Sequence, residues 1–183
     1  ITQDVEMTQN KFKAKKEKNK KYVDKFREVY KKRMLKRYNP IFWCLSKSKR
    51  YVLRGLHLQT KSMQQKYISV IKGKILDVAV DLRPKSKTFG KHFKIILSDK
   101  NALSVLIPIG FAHGFVGLDK ENIVLYSNNN YRSQKSEIGL LWNDKRLKIN
   151  WPKKKFIISK KDKSNITFSQ YLKKFKINNE QKK

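Results

Sequence analysis

The chain has 183 residues, and its 45 lysines and arginines against 14 acidic residues give a formal net charge of +31. This length suits one domain with a substantial core, and the absence of any stretch of about 18 apolar residues argues against a membrane-spanning helix. The single cysteine, Cys44, excludes an internal disulfide and predicts a reducing, cytoplasmic setting, with the thiol buried as a small apolar group.

The basic composition suggests nucleic acid as a partner, because lysines beside phosphates release counterions. Only 8 of the 45 basic residues are arginine, the residue that reads phosphate and guanine with a two-pronged fork. The lysines are spread along the chain, and no zinc-finger, aromatic-strand or helix-turn-helix signature is present. We therefore expect neither nucleic acid nor a membrane as the main partner, and we expect the positive field to attract a small anionic substrate.

Residues 1–40 form a highly charged N-terminal segment. Within it, the spacing of apolar residues predicts one face of a helix over residues 21–36, and Asn39-Pro40 ends that pattern. The residues that set this spacing are Tyr22, Phe26, Val29, Tyr30 and Met34.

Residues 41–152 are predicted to form a β core. Tyr51–Leu58 is typical of a strand, and Tyr67–Ile71 and Ile75–Leu82 on either side of Gly73 predict a hairpin. Further strands are predicted at Phe93–Leu97, Leu103–Ile107, Phe115–Leu118 and Ile123–Tyr126. Short strands at regular spacing indicate a sandwich or barrel, because few gaps leave room for the helices of a parallel sheet.

The sequence also predicts which faces of one core strand are distinct and which C-terminal segment packs on the core. In the run Ile75–Leu82, alternation places two sets of residues on opposite faces. One set is Ile75, Asp77, Ala79 and Asp81, and the other is Leu76, Val78, Val80 and Leu82. Residues 153–183 are lysine-rich, and the stretch from Thr167 to Ile177 predicts a short helix docked on the barrel.

His57 and His113 lie in apolar stretches that contain glycine. A histidine in an apolar pocket is a candidate general base, although a core histidine with satisfied nitrogens has the same surroundings. The element Pro108-x-Gly110-x-x-His113 is similar to a spacing found in metal-binding cupin barrels. Because no third clear ligand accompanies the two histidines, we expect no metal, and a metal-dependent cupin is the rival interpretation.

Three further residues carry groups that a metal-free site would use. The Tyr126 hydroxyl could donate a proton, the Lys66 ammonium could stabilise an oxyanion, and the Asp77 carboxylate needs a partner on an otherwise apolar strand face. Structural roles are the open alternatives. Tyr126 would then be a core aromatic, Lys66 a solvated surface lysine, and Asp77 the acceptor of a structural hydrogen bond. The residues alone therefore predict a β-barrel with a polar interior.

Several segments, taken in order and at near-family spacing, resemble the deoxythymidine-diphosphate-4-dehydrorhamnose 3,5-epimerase family. They are Leu53–Gln59, Asp77–Arg83, Thr88–Lys91, Ile107–Val116, Leu125-Tyr126, Leu141–Asp144 and Ile149–Pro152. The resemblance implies an all-β, cupin-like jelly roll (a double-stranded β-helix) with a few short peripheral helices. It also implies a homodimer that needs no metal or other cofactor.

The resemblance further implies an isomerase that removes a proton beside the 4-keto group of a nucleotide-diphosphate-linked 4-keto-6-deoxyhexose, at C3, C5 or both. The proton returns on the opposite face, and the ketone lets the intermediate carbanion spread into an enolate. The alternatives are a sugar-nucleotide 3,4-ketoisomerase on a similar barrel and a catalytically weak module that binds a sugar nucleotide or a polyanion.

The resemblance implies catalytic roles position by position. His57 matches the general base, and Asp162 matches the carboxylate that orients it. Tyr126 matches the acid on the opposite face, Lys66 the lysine that stabilises the enolate oxygen, and Asp77 the carboxylate beside it.

Substrate-binding positions are carried over in the same way. Arg54 matches a diphosphate contact, which its paired donors suit, and His113 matches a second histidine near the substrate. Tyr131 matches an aromatic near the nucleotide. The remaining substrate-binding candidates are Gln59, Glu137 and Arg27, the last in a segment where the family has extended chain.

The chain departs from the family pattern just before the core. Where family members usually carry a glutamine and an asparagine, the chain has Phe42 and Cys44, followed by the expected Ser46 and Ser48. Leu58 replaces the aromatic residue usual after the catalytic histidine. These changes bear on which nucleotide sugar the protein binds.

Overall fold

The computed structural model describes residues 38–177 of the chain, which divides after residue 39 into two units. The helix predicted over 21–36 and the candidate Arg27 lie outside the described residues. In the described part, no helix is long and apolar enough to cross a membrane.

Short strands dominate the second unit. In chain order they are β1 (Phe42–Lys49), β2 (Val52–Gln59), β3 (Lys66–Lys72), β4 (Lys74–Asp81), β5 (His92–Ser98), β6 (Ser104–Ile107), β7 (Phe111–Gly117), β8 (Glu121–Asn128), β9 (Glu137–Gly139) and β10 (Ile157–Ile158). A 3₁₀ turn at Gln134–Ser136 precedes β9, and two short helices, α1 (Lys160–Lys163) and α2 (Phe168–Lys174), follow β10.

The strands form two sheets that are antiparallel except for the pairing of β10 with β2. The smaller sheet has the order β1–β8–β3–β6, and the larger has the order β10–β2–β7–β4–β5, with β9 also paired to β2. Apart from β4 and β5, the described strands that are neighbours in a sheet are therefore not consecutive in sequence. The prediction of an all-β jelly roll with a few short peripheral helices is confirmed.

The core has two layers, and burial of each aliphatic side chain in them contributes roughly 1.5–3 kcal/mol. Between the sheets lie Ile68, Val70, Ile75, Ala79, Leu97, Ile107, Phe115 and Val124. The outer face of the larger sheet is covered by C-terminal residues that include Trp151, Phe168, Tyr171 and Leu172. β4 serves both layers as its alternation predicts, because Ile75 and Ala79 point inward while Leu76, Val78 and Val80 point outward.

The hairpin predicted from Tyr67–Ile71 and Ile75–Leu82 is wrong. β3 pairs with β6 and β8, whereas β4 pairs with β5 and β7. Gly73 is therefore the corner at which the chain leaves one sheet for the other. The turn is in the predicted place, but local turn chemistry does not specify which sheet the next strand joins.

The predicted C-terminal helix forms as α2. The Thr167 hydroxyl accepts a hydrogen bond from the Gln170 backbone N–H at 3.2 Å, and the Gln170 side-chain oxygen accepts one from the Thr167 N–H at 2.7 Å. This reciprocal capping box satisfies two N–H groups that a short helix would otherwise leave unpaired. Tyr171 and Leu172 are buried on the larger sheet, while Phe175 is exposed.

β2 contains one extra residue opposite β7. Arg54 pairs with Phe115, but the next paired residue is His57, opposite His113, so three steps along β2 match two along β7. Such a bulge changes which face the following side chains occupy. Arg54 and His57 thus both face the space between the sheets, although they are three positions apart.

Two glycines allow this bulge. Gly55 has a φ of +110°, and a Cβ there would lie 2.6 Å from the Gly114 Cα and from the His113 carbonyl oxygen. A Cβ on Gly114 would in turn lie 2.6 Å from the Arg54 carbonyl oxygen. The backbones of β2 and β7 therefore approach at a distance that only glycine permits.

We expect Gly55→Ala to lower the midpoint of thermal unfolding more than Gly110→Ala. Both positions have positive φ, which costs a non-glycine residue about 1–3 kcal/mol. A Cβ at Gly110 meets only the flexible stem of Arg83, whereas a Cβ at Gly55 meets backbone. Equal midpoints for the two variants in circular dichroism melts would contradict the close approach as the cause.

Candidate active site

A cavity of about 570 Å³ opens between the two sheets, and we call it the cup. Inward residues of β1, β2, β3, β7 and β8 line it, together with residues of the segments around β9 and α1. Among the predicted site residues, those that line it are Arg54, His57, Lys66, His113, Tyr126, Glu137 and Asp162. The strand crossings of the jelly roll thus bring together residues that are up to 108 positions apart (54 to 162).

His57 and Asp162 form a hydrogen-bonded pair in the cup. His57 Nε2 lies 2.6 Å from the Asp162 carboxylate, which also accepts from the Gly55 backbone N–H at 3.4 Å. The Ser159 hydroxyl caps α1 by accepting from the Asp162 N–H at 3.0 Å, which fixes the carboxylate relative to β2. Burial by itself would raise the pKa of Asp162, but the hydrogen bond and charge of His57 bring that pKa below its ordinary value.

A second imidazole–carboxylate pair lies deeper. His113 Nε2 is 2.7 Å from Asp77, and the side chains of the two residues are only 4% and 2% exposed. The His57 side chain, at 25% exposed, is open to the cavity. Of the two histidines, His57 is therefore the one that a ligand in the cup reaches from solvent.

Tyr126 and Lys66 face the cup from neighbouring strands of the smaller sheet. β3 and β8 pair in a register that joins Ile68 to Tyr126 and Lys66 to Asn128, so both functional side chains point inward. Burial raises the pKa of Tyr126, and the negative charge of Asp77 raises it further. The phenol therefore stays protonated throughout the neutral range.

Burial shifts the pKa of Lys66 in the opposite direction to that of Tyr126. Burial lowers its pKa from 10.5 to about 8, an effect that Glu137 and Asp77 oppose and that Arg132 reinforces. The residue is therefore charged below about pH 8 and begins to lose its proton at only slightly alkaline pH.

Arg54 lies where the cup meets β1. Its Nε donates to the Ser48 hydroxyl at 3.0 Å, and its Nη2 donates to the Lys47 carbonyl oxygen at 3.1 Å. Beside it, Ser46 buries its hydroxyl oxygen with no hydrogen-bond partner among the described residues. This part of the wall offers a cation and a hydroxyl to an anionic ligand.

Glu137 lines the cup next to β2. Its carboxylate accepts two hydrogen bonds from Arg132, at 2.8 and 3.0 Å, and one from the Lys161 ammonium. Burial would raise the pKa of Glu137, but these two cations lower it to about 2. Glu137 is therefore an anion at every pH at which the protein would be assayed.

Gln59 and Tyr131 are not among the residues that line the cup. The Gln59 amide donates to the carbonyl oxygens of Ser62 and Tyr131 and accepts from the Ser133 N–H, so it holds the loop between β8 and β9. Tyr131 is 65% exposed, and its ring lies 5.8 Å from that of Phe42, which does line the cup. Tyr131 thus stands at the rim.

Cys44 is exposed, so the expectation of a buried thiol is wrong. It lies on β1 directly opposite Tyr126 and lines the cup together with Phe42. The prediction treated the lone thiol as a small hydrophobe, but an apolar residue on an inward strand face is buried only where the interior is filled. Here the interior is a cavity.

The sequence did not predict several polar lining residues as site residues, among them Arg132, Lys161 and Asn128. The sequence around Arg132 and Lys161 does not distinguish them from the other basic residues. Their role depends on ion pairs with Glu137, which is distant from Lys161 in sequence. Among the described residues, no group of three or more histidine, cysteine, aspartate or glutamate side chains is arranged to hold a metal ion. The expectation of a metal-free reaction remains a prediction.

The fold and the cavity define a class. The protein is a cupin-like jelly roll whose cup is lined by a histidine on one sheet that pairs with a carboxylate of α1, and by a phenol and an ammonium on the other sheet, a set of groups suited to proton transfer. The sequence profile described as dTDP-4-dehydrorhamnose 3,5-epimerase matches residues 13–170. The chain belongs to this family, as its sequence motifs predicted.

Individual relatives agree with the family assignment. The chain is 45% identical over 118 residues to the dTDP-4-dehydrorhamnose 3,5-epimerase of Shigella flexneri, covering 64% of this chain and 65% of that one. It is 40% identical over 129 residues to the enzyme of Escherichia coli K12, covering 69% and 70%. The chain therefore spans about two thirds of the curated relatives it matches.

Solved structures share the architecture. The dTDP-4-dehydrorhamnose 3,5-epimerase of Elizabethkingia anophelis superposes with a TM-score of 0.70 at 41% identity, covering 72% of this chain and 74% of that one. The dTDP-6-deoxy-D-glucose-3,5-epimerase of Legionella pneumophila, solved in complex with dTDP-4-keto-L-rhamnose, gives 0.73 at 35% identity, covering 76% and 75%.

Proposed function

We propose that the protein epimerises a dTDP-linked 4-keto-6-deoxyhexose at C3, at C5 or at both, by proton removal and return. The observation that carries this proposal is the placement of His57, paired with Asp162, and of the protonated Tyr126 phenol in one cavity, with the histidine and the tyrosine on strands of opposite sheets. A sugar bound between those sheets presents one face to each group. Removal of a proton from one face and its return to the other inverts the carbon.

In this mechanism His57 is the base. The Asp162 carboxylate accepts a hydrogen bond from Nε2–H at 2.6 Å, which leaves the lone pair on Nδ1 for the substrate. Nδ1 takes the proton from the carbon beside the ketone, and the C–H electrons move through the new C=C bond onto the ketone oxygen. The Asp162 charge stabilises the imidazolium that results.

Tyr126 supplies the proton to the opposite face. Its raised pKa keeps the hydroxyl protonated until the enolate forms, and the transfer restores the C=O bond and leaves a phenolate that water reprotonates. Lys66 stabilises the negative charge on the enolate oxygen through its ammonium. Asp77, hydrogen-bonded to His113 at 2.7 Å, supplies the negative charge that favours the active form of both residues.

The anionic half of the substrate fits the basic rim. Arg54 supports the diphosphate contact, since it is exposed and stands beside the Ser46 hydroxyl, which has no hydrogen-bond partner within residues 38–177. The dTDP-sugar in the Legionella pneumophila complex supports the same substrate class for this chain. The net charge of +31 favours encounter with a diphosphate.

The first experiment follows exchange from deuterated water into dTDP-4-keto-6-deoxyglucose by NMR. We expect label at C3 and C5, and we expect His57→Ala to slow exchange by about 10²–10⁴-fold because the base is gone. Tyr126→Phe should still exchange the proton that His57 removes but should form little inverted product.

Two outcomes would redirect the assignment. Full product formation by Tyr126→Phe would remove Tyr126 as the acid. Conversion of the 4-ketone to a 3-ketone without inversion would indicate a 3,4-ketoisomerase instead. Unchanged circular dichroism spectra of both variants are the control for folding.

A second prediction concerns pH. Because Lys66 acts as a cation and its pKa is about 8, kcat should fall roughly tenfold per unit as pH rises above that value. An arginine keeps its charge at any accessible pH, so Lys66→Arg should abolish this alkaline decline, though at a lower maximal rate. An alkaline limb shared by wild type and Lys66→Arg would contradict the assignment.

We also propose that the protein is a cytoplasmic homodimer that associates through the outer face of β1. Phe42, Cys44 and Ser46 point into the cup, so Trp43 and Leu45 point away from it, and they are 56% and 66% exposed. Neighbouring exposed apolar side chains of this size are typical of an interface.

The association proposal predicts a change of mass in sedimentation velocity. Leu45→Glu should convert a dimer to a monomer, because burying the introduced carboxylate in an apolar interface is strongly unfavourable. Leu103→Glu, at an exposed apolar residue before β6, is the matched control and should remain dimeric. A monomeric wild type, or dissociation of both variants, would refute this interface.

A further inference from the structure

We propose that Glu137 is a positioning residue of this reaction, whose carboxylate ties the turn that carries Asp162 to the wall of the cup and balances the charge of Lys66. The inference rests on the proposed epimerase activity and gives Glu137, which the sequence predicted as a substrate-binding residue, a positioning role instead. It is carried by the ion pairs of Glu137, by its burial and by its place in the β-sheet register.

The position of Glu137 relates it to the base. In the pairing of β9 with β2, Glu137 lies opposite Gln59 and Gly139 lies opposite His57. Glu137 thus begins the short strand that flanks the base. Its side chain is only 6% exposed, so its charge acts in a medium that screens it poorly.

Its two cationic partners come from different segments. Arg132 belongs to the loop that follows β8, and Lys161 belongs to α1 and immediately precedes Asp162. Because α1 has only four residues, a tether at Lys161 constrains its neighbour Asp162 directly. One carboxylate therefore joins the loop, β9 and the turn that orients His57.

Glu137 also affects Lys66 through charge. The charged or titratable groups that face Lys66 are Glu137 on β9, Arg132 on the loop, Asp77 on β4 and Cys44 on β1. Among these, Glu137 makes the largest contribution in favour of the ammonium form, and it opposes the effect of burial. Removal of its charge would make Lys66 lose its proton at a lower pH.

The test compares Glu137→Gln with Glu121→Gln. Glu121 is a matched control, since it also accepts from two lysines, Lys47 and Lys72, and has a pKa lowered to about 2 by them, but it does not line the cup. The measurement is kcat and KM for dTDP-4-keto-6-deoxyglucose between pH 6 and about 10, the range over which Lys66 titrates.

We expect Glu137→Gln to lower kcat at neutral pH by up to roughly 10²-fold with KM little changed, because the base is less well oriented. Its alkaline limb should move to lower pH by about 0.5–1 unit, because a nearby opposite charge is lost. Glu121→Gln should retain the wild-type profile. A purely structural role for Glu137 would lower the rate or the stability without moving this limb.

Two further variants separate the two effects. Lys161→Met releases the Asp162 turn but keeps the Glu137 charge. We therefore expect kcat to fall, while the pH at which the alkaline decline begins stays at the wild-type value or rises. Glu137→Asp keeps the charge and should restore the position of the limb.

The outcomes distinguish this inference from the proposed function. A wild-type kcat and pH profile in Glu137→Gln, or an equal shift in Glu121→Gln, would overturn the role of Glu137. A wild-type protein that catalyses no exchange with the keto sugar nucleotide would instead overturn the epimerase assignment.

Discussion

The close approach of β2 and β7 at Gly55 and Gly114 is the constraint on which the site depends. It allows the extra residue in β2, and that residue turns His57 toward the cavity instead of toward the outer core layer. In a regular strand, Arg54 and His57 would occupy opposite faces. The orientation of His57 therefore depends on a backbone feature that involves no reactive side chain.

The two imidazole–carboxylate pairs are chemically alike and differ in access to solvent. The His57 side chain is 25% exposed in the cup, whereas the side chains of His113 and Asp77 are almost fully buried in its wall. The buried pair contributes through its charge. Asp77 favours the ammonium form of Lys66 and the neutral form of Tyr126, which are the forms that the proposed mechanism uses.

The sequence predicted most of the strands and the inner and outer faces of β4, because alternation of apolar residues reports burial directly. It did not predict that β3 and β4 belong to different sheets, since a turn at Gly73 is compatible with a hairpin and with a corner. Gln59 was expected at the substrate, but its amide holds the loop that precedes β9.

The candidate site was predicted from motifs and not from periodicity. His57, Lys66, Tyr126 and Asp162 converge because strand crossings place them together, and a single sequence gives no distance information of that kind. The partners of Glu137 could not be found in advance, because Arg132 and Lys161 are two among 45 basic residues. Ion pairs of this kind depend on tertiary placement alone.

The inward position of Cys44 has a consequence for chemical probes. The thiol lies opposite Tyr126 in the cup and is the chain's single cysteine, so a nucleotide analogue with a mild electrophile would have one target for irreversible attachment. The partial burial of Cys44 raises the pKa of this thiol despite the neighbouring Lys66 and Arg132, so untethered reagents would react slowly. Relatives that carry the usual asparagine at this position would lack the target, and selective labelling would follow from that one replacement.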